Sequence, residues 1–266
     1  SGNMPTVAEI EKSLYELAPG SLKMDWDNVG LLVGDPDRQV QRVLVALDVV
    51  PSVVEEALAG DFQLIVAHYP VMNCKWLPVQ TLRQDTPQGR LLRKLVQSDL
   101  AAICMHTNLD AARGGVNDAL ANALRVIDPG PLDESQIGRW GHLASAVPLK
   151  QFVGTVCRTL HCNGVRYADA GKMVSQVAVG GGACGDMIPQ ALALGCDTFV
   201  TSDLSYHQFL DAPAMGINLI DAGHFPTEDV ICPVLVQFLQ TRFPQLTAQK
   251  SASHCEVIQY YVEGEK

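Results

Sequence analysis

No apolar stretch in the 266 residues approaches the ~18–20 consecutive apolar positions of a membrane-spanning helix. No dense run of lysine or arginine is present either. With a net charge of −10, the chain offers no electrostatic footprint for nucleic acid, and an anionic substrate would need a metal or a local group of cations to offset the field. The eight cysteines (Cys74, Cys104, Cys157, Cys162, Cys184, Cys196, Cys232 and Cys255) are scattered without any Cys-x-x-Cys. That spacing excludes a zinc knuckle and a disulfide scaffold and suits small buried apolar residues. Low-complexity segments are missing too. The opening "SGNMPTVAEI" has neither a basic n-region nor an apolar h-region, so a cytoplasmic protein is expected. Residues 1–3, ahead of Met4, read as an expression remnant.

What is present is globular: 47% of the residues are hydrophobic and 18% charged. After an amphipathic helix at about 6–17, apolar runs alternate with helical spacings. "RVLVALD", "FQLIVAH" and "LAAICMH" are β-branched or apolar runs, ending at Asp48, His68 and His106. "PSVVEEALAG" and "QGRLLRKLVQS" between them have the spacing of helices, and "GGVNDALANALRV" follows as a third. Strands separated by helices of about ten residues imply βαβ units and a parallel sheet. Residues 128–141, opening "DPGPLDESQIGRW", are rich in proline, glycine and acids and are expected to link two lobes. A second series follows: strands in "HLASAVP", "GVRYADA", "SQVAVGGG", "DTFVTSD" and "INLIDAG", and helices in "DMIPQALALG", "YHQFLDAPAMG" and "TEDVICPVLVQFLQTRF". "HCEVIQYYV" alternates as a final strand. The expected fold is α/β with two lobes, residues 1–128 and 129–266. Each is a largely parallel or mixed sheet flanked by helices, and the C-terminal helix and strand pack back on the first lobe.

His68, His106 with Asp110 just beyond it, and His224 all fall at or just after strand carboxyl ends, where open α/β sheets bind ligands. Each has a plainer reading. His68, before Tyr-Pro, suits a turn. His106 and Asp110 suit a hydrogen-bonded loop with Asn108 in an Asx-turn. Glu228, two residues after Pro226, suits a helix first turn. His224 precedes that helix at its electropositive end, where a neutral imidazole binding a cation is comfortable. Together His68, Asp110, His224 and Glu228 make a mixed nitrogen and oxygen set, suited to Zn, Mn, Fe or Ni rather than Ca or Mg. A competing feature is Gly180-x-Gly182-x-x-Gly185, after a strand and before a helix, with Asp203 ending the next strand. It meets the pattern of a dinucleotide fingerprint and equally that of a tight turn.

Five motifs, "WDNVGLLVGD" (26–35), "VAHYP" (66–70), "HTNLDAARGGVND" (106–118), "TSDLSYHQFLDA" (201–212) and "IDAGHFPTE" (220–228), resemble those of the Nif-three-like dinuclear metal-centre family. These are the YbgI-type proteins, also called GTP cyclohydrolase I type 2 homologues, and the likeness runs over nearly the whole chain. It implies a ring-shaped homohexamer with two divalent metal ions between the lobes. His68, Asp110 and Glu228 would hold one ion, and His224 with a bridging Glu228 the other. Tyr69 stands where the family has a second consecutive histidine, which leaves open whether one ion or two is bound. The implied activity is that of a metal-dependent hydrolase acting on a nucleotide or phosphoester small molecule, with His106 and His207 available to move protons or position water. A non-catalytic metal-binding ring scaffold and a dinucleotide-binding protein are the alternatives.

Overall fold

A computed structural model describes residues 3–264. The chain is an α/β protein with two mixed sheets flanked by helices, divided into two compact units. The first comprises the residues up to Arg113 together with Cys232–His254, and the second Gly114–Ile231 with the residues from Cys255 on.

In the first unit the strands are β1 (Gly30–Val33), β2 (Arg42–Ala46), β3 (Leu64–Ala67), β4 (Ala101–Cys104) and, from the end of the chain, β11 (Thr247–Lys250). Their order is β1-β4-β3-β2-β11. All neighbours are parallel except β1, an antiparallel edge on β4 that the sequence pattern does not reveal. β3 and β4 are buried along their whole length, which is why they read as unbroken apolar runs. Leu44, Ile65 and Cys104 pack with Val53, Val54, Leu92 and Leu95 of the helices Pro51–Ala59 and Pro87–Gln97. The first of these helices has proline in its opening turn, and the second is capped by the Thr86 hydroxyl. The helix Ile231–Arg242 returns here with β11, a strand at 247–250 that was not expected, and Arg242 pairs with Glu16 of the first helix, Val7–Leu17, at 2.7 Å. The segment 227–243 is two helices rather than one. Glu228 ends the short helix His224–Glu228, and Pro233 lies in the first turn of Ile231–Arg242, where its missing N–H breaks no bond.

The second unit holds β5 (Ile127–Pro131), β6 (Arg139–Val147), β7 (Arg166–Ala168), β8 (Val174–Val179), β9 (Thr198–Thr201) and β10 (Asn218–Asp221), in the order β5-β6-β8-β9-β10-β7. β8, β9 and β10 are parallel. Side chains alternate as strand geometry requires. Val177, Val179, Val200 and Ile220 face one apolar cluster with Phe152 and Val156, while Ala178, Phe199 and Leu219 face another with Ile188 and Ala191.

Two expectations are corrected. Residues 128–141 are β5, a turn and the start of β6, not a linker. Pro129 and Pro131 are tolerated because β5 is the sheet edge, where a missing donor leaves no ladder bond unmade. The tail 254–262 has the alternation of a strand but forms none among the described residues, and Val257 and Tyr261 are about four-fifths exposed. It is tied down locally, with the Asn163 amide donating to the Ile258 carbonyl at 2.8 Å.

Candidate metal centre

Parallel pairing decides where the site side chains emerge. β3 and β4 run in register, Ala67 opposite Cys104, so His68 and His106 leave neighbouring strand ends on the same edge. Their ring centroids are 5.1 Å apart. Asp110 follows on the one-turn helix Thr107–Ala111, which brings its carboxylate back beneath them. His68, His106 and Asp110 are all buried and offer ligand atoms within 4.8 Å of one another, a group that could hold a metal ion.

The hydrogen bonds say which atoms point into that group. His68 donates Nδ1–H to the Met105 carbonyl at 2.8 Å. A carbonyl only accepts, so the neutral ring carries its proton on Nδ1 and its lone pair on Nε2. Nε2 lies 3.1 Å from Oδ1 of Asp110. Two lone-pair atoms at that separation attract only with a cation shared between them. His106 repeats the device, its Nδ1 lying 3.0 Å from Oδ1 of Asp27. Burial pushes the Asp27 carboxyl up, but hydrogen bonds from His106 and from the Thr107 hydroxyl and amide overcome that and hold it down at about 2. Asp27 is therefore an acceptor at any working pH and leaves Nε2 of His106 as the atom that could ligate a metal. Tyr69 is half-buried, its ring centroid 4.6 Å from that of His106.

The second unit uses the same construction. β9 and β10 are parallel, Thr201 opposite Asp221, so Asp203 and His224 emerge side by side. Gly223, at φ +94°, turns the chain into the helix His224–Glu228, and the four-residue spacing puts His224 and Glu228 on one face. His224 Nδ1 lies 2.5 Å from Asp203 Oδ2, and its Nε2 lies 3.0 Å from Glu228 Oε1. Burial pushes the His224 imidazolium pKa down, but the carboxylates of Glu228 and Asp203 outweigh it and raise it to about 9. Without metal, a proton therefore holds the place of the cation at neutral pH.

The Gly180–Gly185 loop supports this pair. Gly182 has φ +74°, and a Cβ there would lie 2.0 Å from Oε1 of Glu228 and 3.2 Å from Nε2 of His224. Four of the loop's amides are directed inward. Gly180 donates to the Val200 carbonyl, Gly181 to Asn117 Oδ1, Gly182 to the Thr227 hydroxyl and Cys184 to the Thr201 hydroxyl. These four donors are engaged within the protein and do not cradle a phosphate.

Of the residues expected from sequence, His68, Asp110 and His106 meet in the first unit, and His224 and Glu228 meet in the second. His207 joins neither group. It is exposed on the helix Tyr206–Met215, its ring packed against Tyr206. Asp27 and Asp203 were not singled out as site residues. Asp27 lies within the "WDN" motif and Asp203 ends a strand, but their role as holders of histidine Nδ1 shows only in the contacts.

The model of the family described as Duf34/NIF3 (NGG1p interacting factor 3) matches residues 5–257. The chain belongs to the Duf34/NIF3 family. It is 33% identical over 236 residues to the GTP cyclohydrolase 1 type 2 homolog of Clostridium perfringens, covering 86% of this chain and 88% of that one. The hypothetical protein SA1388 of Staphylococcus aureus superposes with a TM-score of 0.88 at 26% identity, over 97% of this chain and 100% of the other. The Bacillus cereus protein related to NIF3 shares the fold with a TM-score of 0.90 at 24% identity, over 98% of this chain and 100% of that one. The Duf34/NIF3 fold thus carries both histidine–carboxylate groups of this chain. No helix among the described residues is long and apolar enough to cross a membrane.

Three outcomes are expected. A metal ion held by His224 would have to displace its proton, so any affinity at that group should rise about tenfold per pH unit from 6 towards 9 and level off above. Calorimetric titration in buffers of different ionisation enthalpy should show about one proton released per metal bound there at pH 7, and a pH-independent affinity would contradict the assignment. In metal-free protein the same raised pKa stabilises the fold below about pH 6.5, and this contribution is lost as pH rises through about 9. Gly182→Ala should displace the Glu228 carboxylate and weaken metal binding by about tenfold or more. Elemental analysis checks this, with circular dichroism confirming that the fold is kept.

Proposed function

We propose that the chain is a divalent transition-metal protein and a metal-dependent hydrolase acting on a nucleotide or other phosphoester. The observation that carries this reading is the repeated tether. His68, His106 and His224 each have Nδ1 held by an acceptor, and in His68 and His224 the opposite nitrogen lies 3.0–3.1 Å from a carboxylate oxygen. Carboxylate or carbonyl on one nitrogen and metal on the other is how proteins orient ligand histidines. His68, Asp110, His224 and Glu228 are the assigned ligands. His106, expected from sequence as a proton carrier, is held as a ligand is held and is assigned to the ion with His68 and Asp110. The set suits Zn, Mn, Fe or Ni. Cys104, Cys162 and Cys196 are poor competitors for the metal, because burial drives their thiols up to about 12.

A divalent ion held by these residues would bring the pKa of water down towards ~7 and polarise a phosphoryl or ring-carbon electrophile. The protein's own part is to hold Nδ1 of each imidazole through Asp27, Asp203 and the Met105 carbonyl, which aims Nε2 at the ion. The name of the Clostridium relative supports a nucleotide substrate. A ring scaffold is the second reading, favoured by the exposed apolar side chains of the second unit, Tyr206, Leu210, Met215, Tyr261 and Val257. Such side chains support a homo-oligomer, and the family resemblance supports a hexamer.

Protein purified without chelators or a histidine tag should carry near-stoichiometric transition metal, lost or halved in His68→Ala and in His224→Ala. Elemental analysis showing no metal in the native protein would overturn both readings. With metal bound, a hydrolysis screen over nucleotides and phosphoesters should show turnover that Glu228→Gln lowers at least about a hundredfold. Bound metal with no turnover in any substrate would leave the scaffold.

A further inference from the structure

Beside the first-unit group stands a cluster that metal binding does not explain. Trp26 and Trp76 pack edge to face, centroids 4.8 Å apart, with ring planes at 77°. Both border His106, at 6.0 and 6.5 Å. They are not core residues: Trp26 is 38% exposed and Trp76 65%. Leaving two indoles in water forgoes a large burial gain. Lys75 holds its ammonium over both rings, 5.9 Å from the Trp26 centroid and 5.4 Å from that of Trp76.

The loop that displays them is fixed. The Asn73 amide donates to the Leu77 carbonyl at 2.7 Å, and the Leu77 amide returns a bond to the Cys74 carbonyl at 3.1 Å. Asn73 Oδ1 accepts from the Val79 amide at 3.0 Å, and Asn73 itself adopts φ +54°. Cys74 is buried, anchoring the turn while its neighbours Lys75 and Trp76 face solvent. The Trp26 segment is tied to this loop by the Asn28 amide, which donates to the Met72 carbonyl at 3.0 Å. Aromatic rings held out on a braced loop, with one cation above them and the candidate ligand His106 at their edge, are a preformed stacking surface.

We propose that Trp26 and Trp76 receive the planar heterocycle of a nucleoside phosphate, and that Lys75 takes its anionic group. The proposal rests on the hydrolase reading above and narrows its substrate from any phosphoester to one bearing a stackable ring. The chemistry is complementary on both counts. Every nucleobase presents a π face to an indole. The ammonium now resting on the indoles can move from the ring faces to a phosphate that arrives with the base. In a chain of net charge −10, a lysine over these rings gives an anion a local point of attraction.

Intrinsic fluorescence tests it directly, in a Trp140→Phe background that leaves Trp26 and Trp76 as the only tryptophans. ATP and GTP should both quench the emission saturably, because stacking tolerates either base. Ribose 5-phosphate should not quench. Trp76→Ala should raise the Kd for GTP, followed by calorimetry, about ten- to a hundredfold, and Trp76→Phe should stay within a few-fold of the parent. Lys75→Ala should weaken GTP but not guanosine. Circular dichroism and metal content, measured on the same preparations, exclude unfolding and loss of the ion. No saturable binding of either nucleotide, or a Kd for GTP unchanged within twofold in both Trp26→Ala and Trp76→Ala, overturns the proposal. Binding needs no turnover, so the two ideas can fail separately. The full quenching pattern without hydrolysis would sink the hydrolase alone, and hydrolysis indifferent to Trp26 and Trp76 would sink the stacking surface alone.

Discussion

The hydrogen bond at Nδ1 of each site histidine is the constraint on which the chemistry depends. A neutral imidazole has one proton to give and one lone pair to offer, and its surroundings decide which nitrogen has which. The Met105 carbonyl, Asp27 and Asp203 make that decision for His68, His106 and His224. Remove those acceptors and the same side chains in the same places would rotate or change tautomer. Each group would then be histidine near acid, with no nitrogen lone pair held in a fixed direction.

The tether works because the sheets deliver the residues in pairs. Neighbouring parallel strands end level, so β3 with β4 and β9 with β10 set two residues side by side with no long loop to position them. A one-turn helix after each pair returns a carboxylate, Asp110 in one unit and Glu228 in the other. In the second unit the glycine at 182 is part of the same construction, since any side chain there would occupy the space of the Glu228 carboxylate. In the first unit, Trp26 is the immediate neighbour of Asp27. The segment that tethers His106 therefore also displays an indole, and a ring bound there would lie beside His106.

Much of this was legible in the residues. Strand ends at His68 and His106, and the turn at His224, follow from apolar runs broken by polar residues. The spacing of His224 and Glu228 is that of one helical turn. The antiparallel edge β1 was not legible, because four residues of "GLLV" carry no period and are defined only by pairing with β4. Residues 128–141 misled because proline and glycine mark a linker and a sheet edge alike, and only the partner strand tells them apart. The tail 254–262 misled in the opposite sense, since alternation signals a strand only where an edge receives it. Asp27 and Asp203 were hidden because a tethering acid has no sequence signature. Asp27 meets His106 across 79 positions and Asp203 meets His224 across 21.

X-ray absorption at the metal edge of the protein as purified tests the central claim most directly, because it reads the ligand atoms themselves. The account predicts a first shell of nitrogen and oxygen only, at about 2.0–2.2 Å, with the outer-shell pattern of imidazole reduced in His68→Ala and in His224→Ala. A first shell with sulfur at about 2.3 Å, or one lacking any imidazole signature, would contradict it.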